Sequence, residues 1–326
     1  MTTIRDVAKE AGVSVATVSR LINNSGYVGQ QSKQKILLAI KKLNYVPNEI
    51  ARSLNRKSSM IIGLLVPNIT NPYFPSIIKG VEKCAMKNGY MLIVGNTEGK
   101  ETNGENYLNF FKQYNIAGII KVDGTHLDTP EDIPTVSLDR MNANDRFAVI
   151  ADDFYGGQLI GQAIRKTNHG SVLIMTGPMN MNVSQLRLKG IQSVFDPAKI
   201  DYHIYTTNSF QMEFADQVAR EVIQKYPTIQ TVIAPNDVYA LALMQTWNQL
   251  GVKIPKEVQI IGYDGIIFGS YAQPGLSTIQ QPAYEIGYQG TELLLSIINQ
   301  EINYQTTKII QIKPQLLQRN SLREVE

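Results

Sequence analysis

The chain has 326 residues, enough for two or three domains with separate cores. With 43% hydrophobic and 18% charged residues it is composed like a globular protein and unlike a disordered one. Cys84 is its only cysteine, which excludes an internal disulfide and a multi-cysteine metal site. The net charge of +3 hides an asymmetry: residues 1–60 hold ten Lys/Arg against three acids, so +7, which leaves −4 for the other 266.

A basic head on a mildly acidic body points to a polyanion as the partner of the head. The start, MTTIRDVAKEAG, lacks the apolar core of a signal peptide, and runs such as MIIGLLV (60–66) are too short to span a bilayer. A cytoplasmic protein with no membrane partner is therefore expected.

In chain order, Ile4, Val7, Ala8 and Ala11 follow the spacing of one buried helix face, with Thr3 as N-cap and Gly12 as the stop. Ser14 caps a second helix striped by Val18, Leu21 and Ile22. A third follows Ser32, with Ile36, Ile40 and Leu43 inward and Lys33, Lys35, Lys41 and Lys42 outward. Two short helices around a glycine turn make a helix-turn-helix, whose second helix enters the major groove. Val15 and Ala16 then suit thymine methyls, Arg20 suits guanine O6/N7, and Thr17 and Ser19 suit phosphates.

From residue 60 onward, short apolar runs alternate with amphipathic stretches. Strands are expected at 61–66, 90–95, 117–122, 135–138, 147–151, 171–176, 203–207, 231–235 and 258–263, with helices at 155–168, 211–225 and 237–250. Consecutive apolar positions mark parallel strands covered on both faces. The fold class is thus a small all-α helix-turn-helix head plus an α/β core of two doubly wound parallel-sheet subdomains.

Ligands of such cores bind outside the carboxyl ends of the strands. Beyond the strands stand Asn71, Tyr73, Phe74, Asp139, Arg140, Asp152, Asp153, Arg187, Phe210, Asn236, Asp237 and Asp264, and the TIQQP stretch adds Gln280 and Gln281. Carboxylates, guanidiniums and amides interleaved with aromatic rings suit a polyhydroxylated ligand such as a sugar. No catalytic constellation accompanies them: His126, His169 and His203 are scattered, and no nucleophile elbow, phosphate-cradling loop or dinucleotide fingerprint occurs. The expectation is a protein that is no enzyme and takes no cofactor and no metal.

The run IRDVAKEAGVSVATVSRLINNSGYV, followed by LNYVPNEIARSL at 43–54, closely resembles the head of the LacI/GalR family of bacterial transcriptional regulators. The resemblance continues through NPYF (71–74), LDR (138–140), ADDFYGG (151–157), RLKG (187–190), NDVYALA (236–242), GYDG (262–265) and TIQQP (278–282), and so spans essentially the whole chain. It implies a periplasmic-binding-protein-like core, a DNA-binding domain at 1–46 and a hinge helix and linker at 47–59. The effector-binding and dimerisation core occupies 60–326, divided into an N-subdomain (about 60–160 and 290–326) and a C-subdomain (about 161–289).

By that resemblance Val15, Ala16 and Arg20 are the principal base readers, and the DNA-contacting set is Thr3, Ser14, Val15, Ala16, Thr17, Ser19, Arg20, Asn23, Tyr27, Asn48, Ala51, Arg52 and Leu54. Eight residues at 47–54 are too few for a stable isolated helix, so this hinge is expected to order against DNA, with Leu54 as a minor-groove wedge. The implied effector set is Asn71, Tyr73, Phe74, Asp139, Arg140, Asp153, Arg187, Phe210, Asn236, Asp264 and Gln281. It is most similar to that of ribose-type binders, while Tyr73–Phe74 also resembles the purine-responsive branch and NNSGYV resembles sucrose-operon regulators. The expected protein is a homodimer on a palindromic operator, most simply a repressor released by a sugar such as ribose or sucrose. The alternatives are a purine co-repressor, control by a phosphoprotein partner, or a transport-type sugar-binding protein, the last of which leaves the basic head unexplained.

Overall fold

Thr3 opens the first helix with a reciprocal cap, its hydroxyl accepting from Asp6 N at 3.4 Å while the Asp6 carboxylate accepts from Thr3 N at 2.8 Å. The computed structural model describes residues 2–23, 25–45, 59–122, 127–167 and 170–324. Helix α1 spans Ile4–Ala11 and ends at Gly12, whose φ of 65° is a left-handed cap. Ser14 Oγ accepts from Thr17 N at 3.1 Å and so starts α2, Val15–Asn23. The third helix, α3, begins slightly earlier than expected and spans Gln30–Lys42. Val7, Ala8, Ala11, Val18, Ile36 and Ala39 form the core among the described residues of this unit, Met1–Ser59.

The second unit, Met60–Glu326, is built on two six-stranded sheets. Its elements are β1 (Ile61–Val66), α4 (Tyr73–Lys87), β2 (Met91–Asn96), α5 (Glu101–Gln113), β3 (Gly118–Lys121), β4 (Thr135–Leu138), β5 (Phe147–Ala151), α6 (Asp153–Arg165), β6 (Val172–Thr176), α7 (Asn182–Ala198) and β7 (Tyr202–Thr206). They continue with a 3-10 turn (Met212–Phe214), α8 (Ala215–Lys225), β8 (Thr231–Ile233), α9 (Asp237–Gln249), β9 (Gln259–Asp264), α10 (Phe268–Tyr271), β10 (Ser277–Gln280), α11 (Ala283–Ile298), β11 (Lys308–Ile312) and β12 (Gln315–Leu317). The first sheet runs β11-β5-β4-β3-β1-β2, all parallel; the second runs β12-β10-β9-β8-β6-β7, parallel except for β12 against β10. Central strands such as β6 and β9 are buried along their whole length, while the edge strand β7 is largely exposed, as sheets covered on both faces require.

Nine of these strands lie where the apolar runs placed them, with ends shifted by at most two residues; β10, β11 and β12 are additional. The division between the sheets differs from the one expected. The chain leaves the first sheet after β5, and α6 already packs on α7, β10 and β12 of the second, so the break falls near 152 and not near 160. Helix α11 returns to the first sheet at 283, not 290, crossing α4 where a Cβ on Gly80 would lie 2.1 Å from the Tyr284 carbonyl oxygen. The last residues cross again: β12 joins the second sheet, and Ser321 Oγ donates to Ile260 O at 2.7 Å. Connectivity decides these boundaries, because three crossings, near 152, 282 and 313, join the same two sheets.

Candidate functional site

In the head, burial of Val18 sets the orientation of α2. Val15, 41% exposed, is turned outward together with Ala16 and Arg20. Thr17 and Ser19 are half-buried; Thr17 Oγ1 pairs with Ser14 Oγ at 2.8 Å, and Ser19 Oγ accepts from Asn23 Nδ2 at 3.1 Å. Tyr27 projects beyond α2 with 90% of its surface exposed. Thr3 sits at the start of α1 with its side chain committed to the cap. Lys33, Lys35 and Lys41 are also exposed. These groups leave base-type and phosphate-type donors on one small unit, which is the equipment of a major-groove reader. Asn48, Ala51, Arg52 and Leu54 lie outside the described residues.

In the core, the carboxyl ends of strands from both sheets converge on a cavity of about 230 Å³. Its wall carries Asn71, Tyr73, Phe74, Asp139, Arg140, Arg187, Phe210, Asn236, Asp264 and Gln281, ten of the eleven residues expected at an effector site. The eleventh, Asp153, stands behind Arg187. Its Oδ1 accepts from Arg187 Nε at 2.6 Å and from the Tyr263 hydroxyl at 3.1 Å, and Arg187 stacks on the Tyr263 ring at 3.6 Å. Asp153 therefore orients a wall residue. Burial works against the Arg187 cation, but Asp153, Tyr263 and Asp264 together raise its pKa and keep it charged.

Two acids are presented by unusual backbone. Asp139 follows β4 with φ 63° and Asp264 ends β9 with φ 113°, both in the left-handed half of conformational space. Such conformations cost on the order of 1–3 kcal/mol each and persist where the surroundings over-determine them. The Tyr73 hydroxyl donates to Asp139 Oδ1, and Gln281 Nε2 donates to Asp264 Oδ1 at 2.9 Å. Burial raises the pKa of the Asp139 carboxyl against the opposing pull of Arg140, and raises that of Asp264 to about 7 against the pull of Arg187. Tyr73 is pushed well up by burial and then by the charge of Asp139. Asp237, next to the cavity, is structural: it accepts from Thr278 Oγ1 and from Ile266 N at 2.8 Å, which fixes the loop after Asp264.

Aromatic rings and amides complete the wall. The Arg140 guanidinium lies 5.9 Å from the Phe74 ring centroid and 5.5 Å from that of Phe210, with Nε buried and without a hydrogen-bond partner although Asp139 Oδ2 is 3.5 Å away. Gln281 Oε1 is likewise buried and unpartnered. Asn71 and Asn236 each use Oδ1 to accept from the start of a helix, at Tyr73 N (3.1 Å) and Tyr239 N (3.0 Å), and Asn236 Nδ2 donates to Phe210 O at 3.4 Å. Orphaned buried polar atoms cost free energy until a ligand satisfies them. The wall therefore offers both donors and acceptors, including the unpartnered Arg140 Nε and Gln281 Oε1.

Sequence reasoning missed Asn68, Met181, Asn208, Ser209 and Gln211, which also line the cavity. Asn68 lies in the stretch that already held Asn71, and 208–211 flank Phe210. Met181, apolar and far along the loop after β6, carried no signal, and neither did Pro67, Gly99 and Pro178 on the same wall. Among the described residues no helix is long and apolar enough to cross a membrane, and no cluster of His, Cys, Asp and Glu could hold a metal.

Residues 3–48 match the model for bacterial regulatory proteins of the lacI family, and 59–320 match that for periplasmic binding proteins and the sugar binding domain of the LacI family. The ribose operon repressor of Bacillus subtilis (strain 168) is 40% identical over 305 residues, covering 92% of this chain and 93% of that protein. The HTH-type transcriptional repressor PurR of Vibrio parahaemolyticus is 33% identical over 337 residues, covering 100% of both. A LacI family transcriptional regulator from Enterococcus faecium, solved with bound ribose, superposes with a TM-score of 0.71 at 26% identity, over 82% of this chain and 100% of its own. With one family model on the head and another on nearly all of the core, the chain belongs to the LacI family: it is a DNA-binding transcriptional repressor with a sugar-responsive core, and not an enzyme.

Proposed function

We propose that this protein represses a ribose operon and is released from its operator when ribose fills the cavity between the two sheets. One observation carries the choice of ligand: two arginines, two strained carboxylates and six amides converge on about 230 Å³, with buried polar atoms of Arg140 and Gln281 lacking partners. The ribose operon repressor of Bacillus subtilis and the ribose-bound Enterococcus faecium regulator support the same reading. The base-reading residues are Val15, Ala16 and Arg20, with Thr3, Ser14, Thr17, Ser19, Asn23 and Tyr27 on the phosphates and groove edges. Residues 1–46 act as the DNA-binding domain, 47–59 as the hinge carrying Asn48, Ala51, Arg52 and Leu54, and 60–326 as the effector core. A single short recognition helix reads few base pairs, so the working form is a cytoplasmic homodimer on a palindromic operator.

A purine co-repressor is the second reading, favoured by the full-length similarity to PurR of Vibrio parahaemolyticus. Against it, the Tyr73 hydroxyl is tied to Asp139, and the Arg140 guanidinium already lies near the facing rings of Phe74 and Phe210, where a flat base would need to stack. Titrating a labelled palindromic operator complex with ribose, sucrose and a purine base in parallel decides the matter. Release by ribose supports the proposal, and release by sucrose alone replaces the ligand. Tightening by the purine reverses the regulatory sign, and indifference to all three points to a phosphoprotein partner.

A further inference from the structure

The cavity does not end at Arg140. A second chamber of about 440 Å³ adjoins it and shares Gly99, Asp139, Arg140 and Met181 as a common wall. One side comes from the first sheet, through Glu101, Asn142 and Ile150; the other comes from the second, through Asn180, Asn182, Val183 and Leu186. On the reading of the first chamber as a pentose site, the second is left to a group that extends beyond the sugar. Ile150 is also the one residue of β5 that is not buried, and its exposed surface faces the chamber.

The chemistry of the second chamber differs from that of the first. Its floor is aliphatic and sulfur-bearing, with Met141, Met181, Ile150, Val183 and Leu186. Its polar groups are the amides of Asn142, Asn180 and Asn182, which present both donors and acceptors. Among the described residues no aromatic ring lines it, so a second pyranose finds no stacking face there. Arg140 is the only cation on the wall among them, against the carboxyl groups of Glu101, Asp139 and Asp153, so a phosphate is disfavoured. A flat, neutral heterocycle fits better, because thioethers and aliphatic side chains pack on its faces and amides pair with its edge.

We propose that the two chambers together bind a ribonucleoside, with its ribose in the first and its base in the second, as an alternative effector to free ribose. This rests on the reading of the first chamber as the ribose site. Calorimetric titration of the full-length protein with ribose, uridine, adenosine and sucrose tests it. Uridine and adenosine should bind and be displaced competitively by ribose. Leu186→Trp, which fills the second chamber from α7, should weaken nucleoside binding at least tenfold while ribose affinity stays within twofold. Asn182→Ala, at an exposed position, should weaken nucleosides severalfold and leave ribose unchanged, so the conclusion does not hang on one bulky variant. Ribose binding without nucleoside binding overturns the proposal and leaves the ribose reading intact. Nucleoside binding indifferent to both variants, or sucrose binding in place of nucleosides, overturns it as well. Failure of all four ligands overturns the ribose reading and this proposal together.

Discussion

On the proposed ribose reading, Asp264 is the residue at which ligand and proton compete. Its carboxyl ends β9 on the cavity wall, faces Arg187, Arg140, Asp139 and the Gln281 amide, and is raised to about 7, first of all by burial. A sugar hydroxyl donates a stronger hydrogen bond to the ionised carboxylate than to the acid, so ribose affinity should rise between pH 6 and pH 8, with protons released on binding. Titrations in two buffers of different ionisation enthalpy read that release, and Asp264→Asn should flatten the pH profile. The same shift acts on stability with a definite sign. A carboxyl whose folded pKa exceeds its ordinary 3.8 keeps its proton in the folded chain after the unfolded chain has lost it. Its contribution therefore falls as pH rises from about 4 to about 7, and unliganded Asp264→Asn should lose less stability than the parent across that window. Towards the other end of the chain, Arg20 is exposed on α2 and is one of the proposed base readers. Arg20→Ala should cost about 1–3 kcal/mol of operator binding and relax preference at one base pair, as a panel of single-base operator variants would show; unchanged preference removes Arg20 from the base readers.

At the scale of elements, the loop from β4 to β5 shows how secondary structure aims side chains into the cavity. Lys121, at the end of the otherwise apolar β3, is buried and pairs with Asp145 at 2.8 Å. Asp145 also accepts from Ser137 Oγ at 2.8 Å and from Asn142 N at 2.7 Å. One carboxylate thus ties the loop bearing Asp139 and Arg140 to two strands. Lys121→Met leaves that charge buried and unpaired, and should lower unfolding stability in urea by about 3–5 kcal/mol. Asp139 and Arg140 were legible at the end of TVSL, but the Lys121–Asp145 pair was not, because AGIIKV (117–122) reads as a strand whether or not its lysine points inward. What was legible shares a cause. Runs of consecutive apolar residues mark strands buried on both faces, and polar residues immediately after such runs can only lie at strand ends, where both sheets deliver them to one cleft. Hence Asn71, Arg140 and Asp264 were found from position, whereas Gln281 came from the TIQQP stretch and the family resemblance. Met181 and the β10–β12 region escaped for the converse reason. Contact with a ligand through an apolar side chain leaves no mark in composition, and β11 and β12, mostly exposed edge strands, lack the apolar run that betrays a central one.

At the scale of the whole molecule, the separation of charge assigns two ligands to two kinds of force. The first 60 residues carry +7 and the remainder −4, so operator binding releases counterions and its affinity should fall steeply between 50 mM and 200 mM salt. Ribose is neutral, and its affinity for the cavity should hardly change over the same range. Linkage then constrains how the two respond to each other: if ribose weakens operator binding tenfold, bound operator must weaken ribose binding tenfold, a coupling of about 1.4 kcal/mol. Measuring ribose affinity with and without saturating operator, at one salt concentration, checks this directly. Asp264→Ala separates coupling from folding. It removes a cavity carboxylate without touching the head, so operator affinity should stay at the parental level while the response to ribose disappears. Loss of operator binding as well would trace the effect to a misfolded core. A normal ribose response would mean that the ligand is read by another part of the wall, with Arg187 and Asp139 the next residues to replace.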